Sequence, residues 1–298
     1  MNKLLFLLLL ITTQTHAQSA SPVKHLFPQG TVFHENINYA NDTDPKHLLD
    51  IYLPSGNKKN LPLVVWVHGG AWMLNDKYAD MSYMRETIKE LLGRGYAFAS
   101  IDYRQSTTKA FPAQIQDCNQ AIQWLYDHAR QYGFQKEKIA LMGFSAGGHL
   151  ASLTALSLNN KISSFTHDGK QPRFRIAAVV DFYGPSDLVA AANDTNFLKA
   201  DHPVTTLLGA SAVDRPDLAR AASPVTYIDR KDPPFLIVQG EKDESVPNTQ
   251  SRMLHSWLKL AGVPSEIIIL SGAPHYGAMF DAADIRSKIF SFLTENLH

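Results

Sequence analysis

Apolar and polar positions along this chain follow two periods in turn. Continuous apolar runs at 63–67 (LVVWV), 96–101, 139–143, 176–182, 235–238 and 267–270 read as buried strands. The run at 48–53 (LLDIYL) alternates in strand fashion ahead of Pro54. Helix-like segments lie between them. One covers 78–92 and stops at Gly93, and another covers 112–132 with a proline in its first turn. A third begins at residue 146, and the last carries Ile285, Ile289, Phe292 or Leu293, and Leu297 on one face. This alternation predicts an α/β fold with a mostly parallel central sheet and helices on both faces. Residues 159–173 are polar and interrupted, as a loop would be. Residues 186–224 break the alternation with pieces rich in alanine and leucine, and are expected to form a small lid or cap insertion within a single domain spanning 18–298.

The first twenty residues stand apart. Asn2-Lys3 is a short basic start, and 4–11 is an apolar run too short to span a bilayer. Thr15-His16-Ala17 is a small-residue cleavage pattern. Residues 1–17 are therefore expected to be an export signal, removed to leave a periplasmic or extracellular protein with no integral membrane segment. Lys+Arg and Asp+Glu both number 28, so no basic field exists to gather nucleic acid. Cys118 is the one cysteine, which excludes an internal disulfide. It shares a helical stripe with Ile115, Ile122, Leu125 and Ala129, the pattern of a buried, inert thiol.

The sharpest local signal is Gly143-Phe144-Ser145-Ala146-Gly147-Gly148, set between an apolar run and a helix-like segment. A Gly-x-Ser-x-Gly turn at that junction holds a hydroxyl above the sheet, at a helix N-terminus whose N–H groups favour negative charge. The glycines are expected to remove collisions with neighbouring backbone and to tolerate strained angles. A serine needs a base to take its proton, and the base is best oriented by a carboxylate. Asp243 follows the run 235–238, and His275 follows the run 267–270 in a Gly/Pro-rich loop. Ligands gather at the carboxyl ends of parallel strands, so Ser145, Asp243 and His275 are expected to meet there. Glu241, Glu244 and Asp187 compete with Asp243 for the acid's role. Val67-His68-Gly69-Gly70-Ala71-Trp72 follows an early strand, as an oxyanion loop should. Gly69, Gly70 and Ala146 are its expected N–H donors. Trp72 and Tyr183 are the expected aromatic walls of a substrate pocket, although both could equally be core. His68 and His149 read as structural, with His149 packed behind the serine.

Taken with Leu49-Asp50-Ile51-Tyr52-Leu53-Pro54, Asp102-Tyr103-Arg104, Phe111-Pro112-Ala113-Gln114 leading to Asp117 and Trp124, and Asp243-Glu244-Ser245-Val246-Pro247, these motifs resemble the α/β-hydrolase superfamily. The resemblance covers the chain from about residue 47 onward. It falls near the hormone-sensitive-lipase-like carboxylesterases and the bacterial feruloyl and acetylxylan esterases. It implies a metal-free serine mechanism without a cofactor, acting on a small-molecule or polysaccharide-linked ester such as an acetyl or feruloyl group. Ala71 stands where many relatives have a third glycine, and Gln239-Gly240-Glu241 where many have His-Gly-x. An amidase of the kynurenine-formamidase type and a lipase-like esterase for longer chains use similar motifs. A non-catalytic binding module would not keep both Ser145 and His275.

Overall fold

The computed structural model describes residues 22–56, 59–191 and 199–297. The expected export signal at 1–17 lies outside the described residues. Eight strands form one sheet in the order β1-β2-β4-β3-β5-β6-β7-β8. They are β1 (Val32–Asn38), β2 (Leu48–Leu53), β3 (Leu61–Val67), β4 (Ala97–Ile101), β5 (Phe134–Phe144), β6 (Ala178–Phe182), β7 (Phe235–Gly240) and β8 (Ser265–Leu270). Strand β2 runs antiparallel to both β1 and β4, and every pairing from β4 to β8 is parallel. The chain passes from β3 outward to β4 and then returns to β5 on the other side of β3. The sheet order therefore reverses between β3 and β5, where open α/β sheets leave a crevice for ligands.

The central strands are apolar without a break because both faces are covered. In β3, Leu63, Val65 and Val67 enter one core, while Val64 and Trp66 enter the other. Helices α2 (Ala113–Tyr132), α3 (Ala146–Ser157) and α7 (Asn248–Ala261) cover the first face through residues such as Ile122, Leu150 and Leu254. Helices α1 (Arg85–Gly93) and α8 (Ala283–Leu297) cover the second through Ile88, Leu91, Ile289 and Leu293. Cys118 is fully buried in the first core, and burial pushes its thiol well above the ordinary value. No described helix is long and apolar enough to cross a membrane.

Two elements depart from the sequence pattern. Strand β1 had no signal, because VFHENIN sits half-exposed at the sheet edge and needs no apolar face. Helix α1 begins at Arg85 rather than 78. Asp281, from just ahead of α8, accepts the N–H groups of Glu86 (2.8 Å) and Thr87 (2.9 Å) and the Thr87 hydroxyl (2.6 Å). That carboxylate satisfies the helix's first free amides and fixes its start. Residues 78–84 are released into turns, with Asp80 in the left-handed region at φ 70°.

Within 186–224 lie α4 (Leu188–Ala191), α5 (Pro203–Leu208) and α6 (Pro216–Ala221), inserted between β6 and β7. Leu188, Val204, Leu207, Ala219 and Ala222 are buried in the first core. Ser186 and Asp187 bond to Gln250 of α7 through their backbone N–H groups at 2.8 Å. The described part of the insertion is thus anchored to the domain.

Candidate active site

Ser145 is the single residue between β5 and α3. Its φ of 53° and ψ of −118° place the strain of the turn on the serine itself. Gly143 and Gly147 lie outside the left-handed region, so they are needed for space and not for angle. A methyl group on Gly143 would run into the carbonyl of Gly147, and one on Gly147 into the carbonyls of Val67 and His68. The backbone of the elbow packs directly on the end of β3, and that contact aligns it with the loop after β3. The Ser145 N–H donates to the Phe182 carbonyl at 2.8 Å, which ties the elbow to β6 on its other side.

On one side of the serine lies a chain of side-chain hydrogen bonds. The Ser145 hydroxyl donates to His275 Nε2 at 2.9 Å, and His275 Nδ1–H donates to Asp243 Oδ2 at 2.7 Å. This pattern fixes the Nδ1–H tautomer and leaves Nε2 as the acceptor for the serine's proton. Asp243 follows β7 and His275 follows β8, so adjacent parallel strands deliver both groups to one end of the sheet. The Asp243 side chain is fully buried. Its Oδ1 accepts the N–H groups of Ser245 (2.9 Å) and Val246 (2.8 Å), and its Oδ2 also accepts the Gln239 amide at 2.8 Å. Gln239 is held in turn by the Ser251 hydroxyl at 2.7 Å. The glutamine that departs from the family pattern therefore still supplies a donor to the acid. None of the rivals reaches the imidazole. Glu241 accepts from Ser271 and Gly272, Asp187 caps the N–H groups of Val189 and Ala190, and Glu244 is exposed.

The loop after β3 lies on the other side. Ala71 and Trp72 are left-handed, at φ 54° and 60°. A third glycine would take the position of Ala71 without steric cost, which is the physical sense of that family preference. The expectation for Gly69 is corrected here. Its N–H donates to Asp80 Oδ2 at 2.8 Å, so a half-buried carboxylate has already taken that donor. Gly70 and Ala71 N–H groups have no protein acceptor among the described residues. His68 is fully buried, and burial lowers its imidazole to about 4, so it is neutral. Its Nδ1–H donates to the Gly69 carbonyl at 2.7 Å, and its ring stacks on Tyr103 at 4.3 Å. The Tyr103 hydroxyl returns a bond of 2.9 Å to the His68 carbonyl.

Trp72 is 3% exposed, and its indole N–H donates to His149 Nδ1 at 3.1 Å. His149 Nε2–H then donates to the Ala222 carbonyl at 2.7 Å, in the insertion. Burial lowers the His149 imidazole to about 4. Trp72 is thus a buried strut between the loop and residue 222, with its indole turned from solvent. Tyr183 is also buried, with its ring 4.7 Å from that of His275. Its hydroxyl meets that of Tyr83 at 2.7 Å, and the Tyr83 hydroxyl lies 2.7 Å from Asp80 Oδ1. Asp80 consequently joins the amide side to the imidazole side. Burial raises its carboxyl above the ordinary range, against the Gly69 amide, Tyr83 and the charge of His275. Sequence reasoning missed Asp80 and Tyr83. A single Asp or Tyr in an irregular stretch carries no spacing signal, and the best available sign was that 78–84 lacks the polar face of a free surface helix. Of the ten non-glycine residues with positive φ among those described, Ala71, Trp72, Asp80, Ser145 and Tyr183 surround this site. Such clustering of strained backbone is characteristic of functional sites.

A family model described as BD-FAE matches residues 49–258. Esterase LipQ of Mycobacterium tuberculosis is 34% identical over 256 residues, which cover 82% of this chain and 57% of LipQ. The chain spans between 43% and 59% of the first three curated relatives it matches, all of them esterases or carboxylic ester hydrolases by name. A solved truncated form of a carbohydrate esterase from gut microbiota is 30% identical with a TM-score of 0.80, covering 89% of this chain and 96% of that one. A bifunctional GH43-CE protein of Bacteroides eggerthii is 33% identical with a TM-score of 0.82, covering 89% of this chain and 35% of that one.

Proposed function

The chain belongs to the BD-FAE family of α/β-hydrolase serine esterases, and on that premise we propose that it is a carboxylic ester hydrolase working through Ser145, His275 and Asp243. The observation that carries this reading is the unbroken hydrogen-bond chain of 2.9 Å and 2.7 Å from Ser145 through His275 to Asp243. As Ser145 Oγ forms a bond to the ester carbonyl carbon, its proton passes to His275 Nε2. Asp243 holds the imidazole and stabilises its positive form. The carbon–oxygen bond to the alcohol then breaks, and the imidazolium returns its proton to the leaving oxygen. Water repeats the sequence on the acyl-enzyme and releases the acid.

The negative oxygen needs donors placed in advance. With the Gly69 amide held by Asp80, we assign them to Gly70, Ala71 and Ala146. Ala146 is the first residue of α3, so its N–H also carries the positive end of the helix.

For substrate we propose acetyl, short acyl or feruloyl esters of polysaccharides, cleaved outside the cytoplasm. The support is the carbohydrate-esterase description of two of its structural relatives, together with the signal-like N-terminus. Residues 186–224 are the proposed cap, held to the oxyanion loop through Ala222, His149 and Trp72. The reading is tested by labelling with a fluorophosphonate, alongside rates on acetylated xylan, methyl ferulate and nitrophenyl esters of increasing length. Labelling at Ser145 and preference for short or sugar-linked esters are expected. An unlabelled protein would overturn the serine mechanism, and preference for long chains would overturn the substrate class.

A further inference from the structure

Resting on the ester-hydrolase reading, the direction of proton transfer divides the space around Ser145. The leaving oxygen must take its proton from His275 Nε2, so the alcohol half of the ester departs on the imidazole side. The carbonyl oxygen points the opposite way, toward the loop after β3. An exposed side chain beside His275 is therefore placed to meet the alcohol half.

Two tyrosines stand there. Tyr276 follows His275 in the chain, and its ring lies 6.2 Å from the imidazole at 84°. It is 65% exposed, one of the few large apolar side chains left open among the described residues and the one next to the imidazole. Its place next to the imidazole, and not its exposure alone, makes that open aromatic face one a substrate can use. Tyr83 adjoins it at 6.1 Å, tilted by 38°. The hydroxyl of Tyr83 is locked between Asp80 and the Tyr183 hydroxyl, each at 2.7 Å. One ring is thus held by its hydroxyl, and the next is open to solvent.

We propose that Tyr276 and Tyr83 form a platform for the alcohol moiety, and that this moiety is a sugar ring. A fatty or other apolar alcohol would need an enclosed channel to leave water. An open tyrosine face gives it little. A pyranose, by contrast, can lay its C–H face on the electron-rich ring while its hydroxyls and the rest of the polymer stay hydrated. Tyr276 is accordingly a specificity-determining residue, and Asp80 and Tyr183 reach the platform only through Tyr83.

Two measurements on the purified chain test this. The first compares kcat/KM on monoacetylated xylobiose, ethyl acetate and phenyl acetate. Tyr276→Ala should lower the ratio of sugar ester to ethyl acetate about 3- to 10-fold, through KM, and Tyr276→Phe should restore it. The second needs no turnover: saturation-transfer NMR with unesterified xylobiose. Contact with the sugar ring is expected in the wild type, in Ser145→Ala and in Tyr276→Phe, and is expected to be lost in Tyr276→Ala. The proposal is overturned if xylobiose contact persists in Tyr276→Ala, if the sugar-to-ethyl ratio does not move, or if phenyl acetate suffers and the sugar ester does not. A protein inert on all three esters that still shows Tyr276-dependent contact would support the platform and strike the hydrolase reading alone.

Discussion

The two sides of Ser145 are built in different ways. On the imidazole side the groups proposed to do the chemistry are side chains, and each is held by the next: His275 by Asp243, Asp243 by Gln239, Gln239 by Ser251. On the amide side the proposed donors are backbone N–H groups, which carry no residue identity of their own. Their placement comes from a second layer, in which a half-buried Asp80 holds the Gly69 amide, a buried His68 stacks on Tyr103, and a buried Trp72 is tied through His149 to Ala222. Chemistry carried by a side chain is removed by one substitution. Chemistry carried by the backbone is removed only by disturbing what positions it.

The contrast is broken most directly at the serine. Ser145→Ala should reduce kcat on ethyl acetate by at least about a thousandfold with little change in Tm, and adding His275→Ala should cost almost nothing further, because the two act as one unit. Additive losses would mean that the imidazole side is not a single chain. Asp80→Ala probes the amide side. Releasing the Gly69 amide should lower kcat on ethyl acetate, which has no sugar to meet the tyrosines, about 10- to 100-fold while KM moves little, since the donors serve the transition state. An effect on KM alone would show that Asp80 supports substrate binding and not the oxyanion loop. Trp72→Phe should cost about 1–3 kcal/mol of stability, read as a lower Tm, because the buried His149 Nδ1 loses its donor.

The smallest effect sharpens the same contrast through pH. His149 titrates near 4 in the folded chain against an ordinary 6.5. Above 6.5 it is neutral in both states. As pH falls from 6.5 toward 4 the unfolded chain takes up a proton that the folded chain refuses, so stability is lost with acid. Asp102 and Asp181, both raised by burial to about 6, act with the opposite sign: they favour the fold below their ordinary pKa of 3.8 and give that up as pH rises through 6. His149→Gln should therefore make the acid slope of stability shallower, by up to about 1.4 kcal/mol per pH unit. Tm recorded at pH 7.5 and at pH 5 in both proteins reads this, and an unchanged difference would place the acid sensitivity elsewhere.

Much of this molecule was legible because its signals are local. The apolar runs marked six of the parallel or central strands, and the turn Gly143-x-Ser145-x-Gly147 marked the elbow, since close packing of β5, α3 and β3 forbids a side chain at either glycine. The position of Asp243 and His275 after consecutive strands was enough to bring them together, because adjacent parallel strands end side by side. Strand β1 was hidden, since an edge strand with one half-exposed face has no periodic apolar pattern.

By itself, then, the sequence determined the alternating layers and singled out the side chains that meet in the proposed catalytic chain. The tertiary structure alone decided that Asp80 takes the Gly69 amide, that Trp72 turns inward to His149, and that Tyr83 comes to lie against Tyr276. Periodicity and turn chemistry act over a few residues and leave a trace in the order of amino acids. A hydrogen bond between residues 83 and 183, or a ring contact between 83 and 276, depends on where a whole sheet and its crossovers bring distant segments.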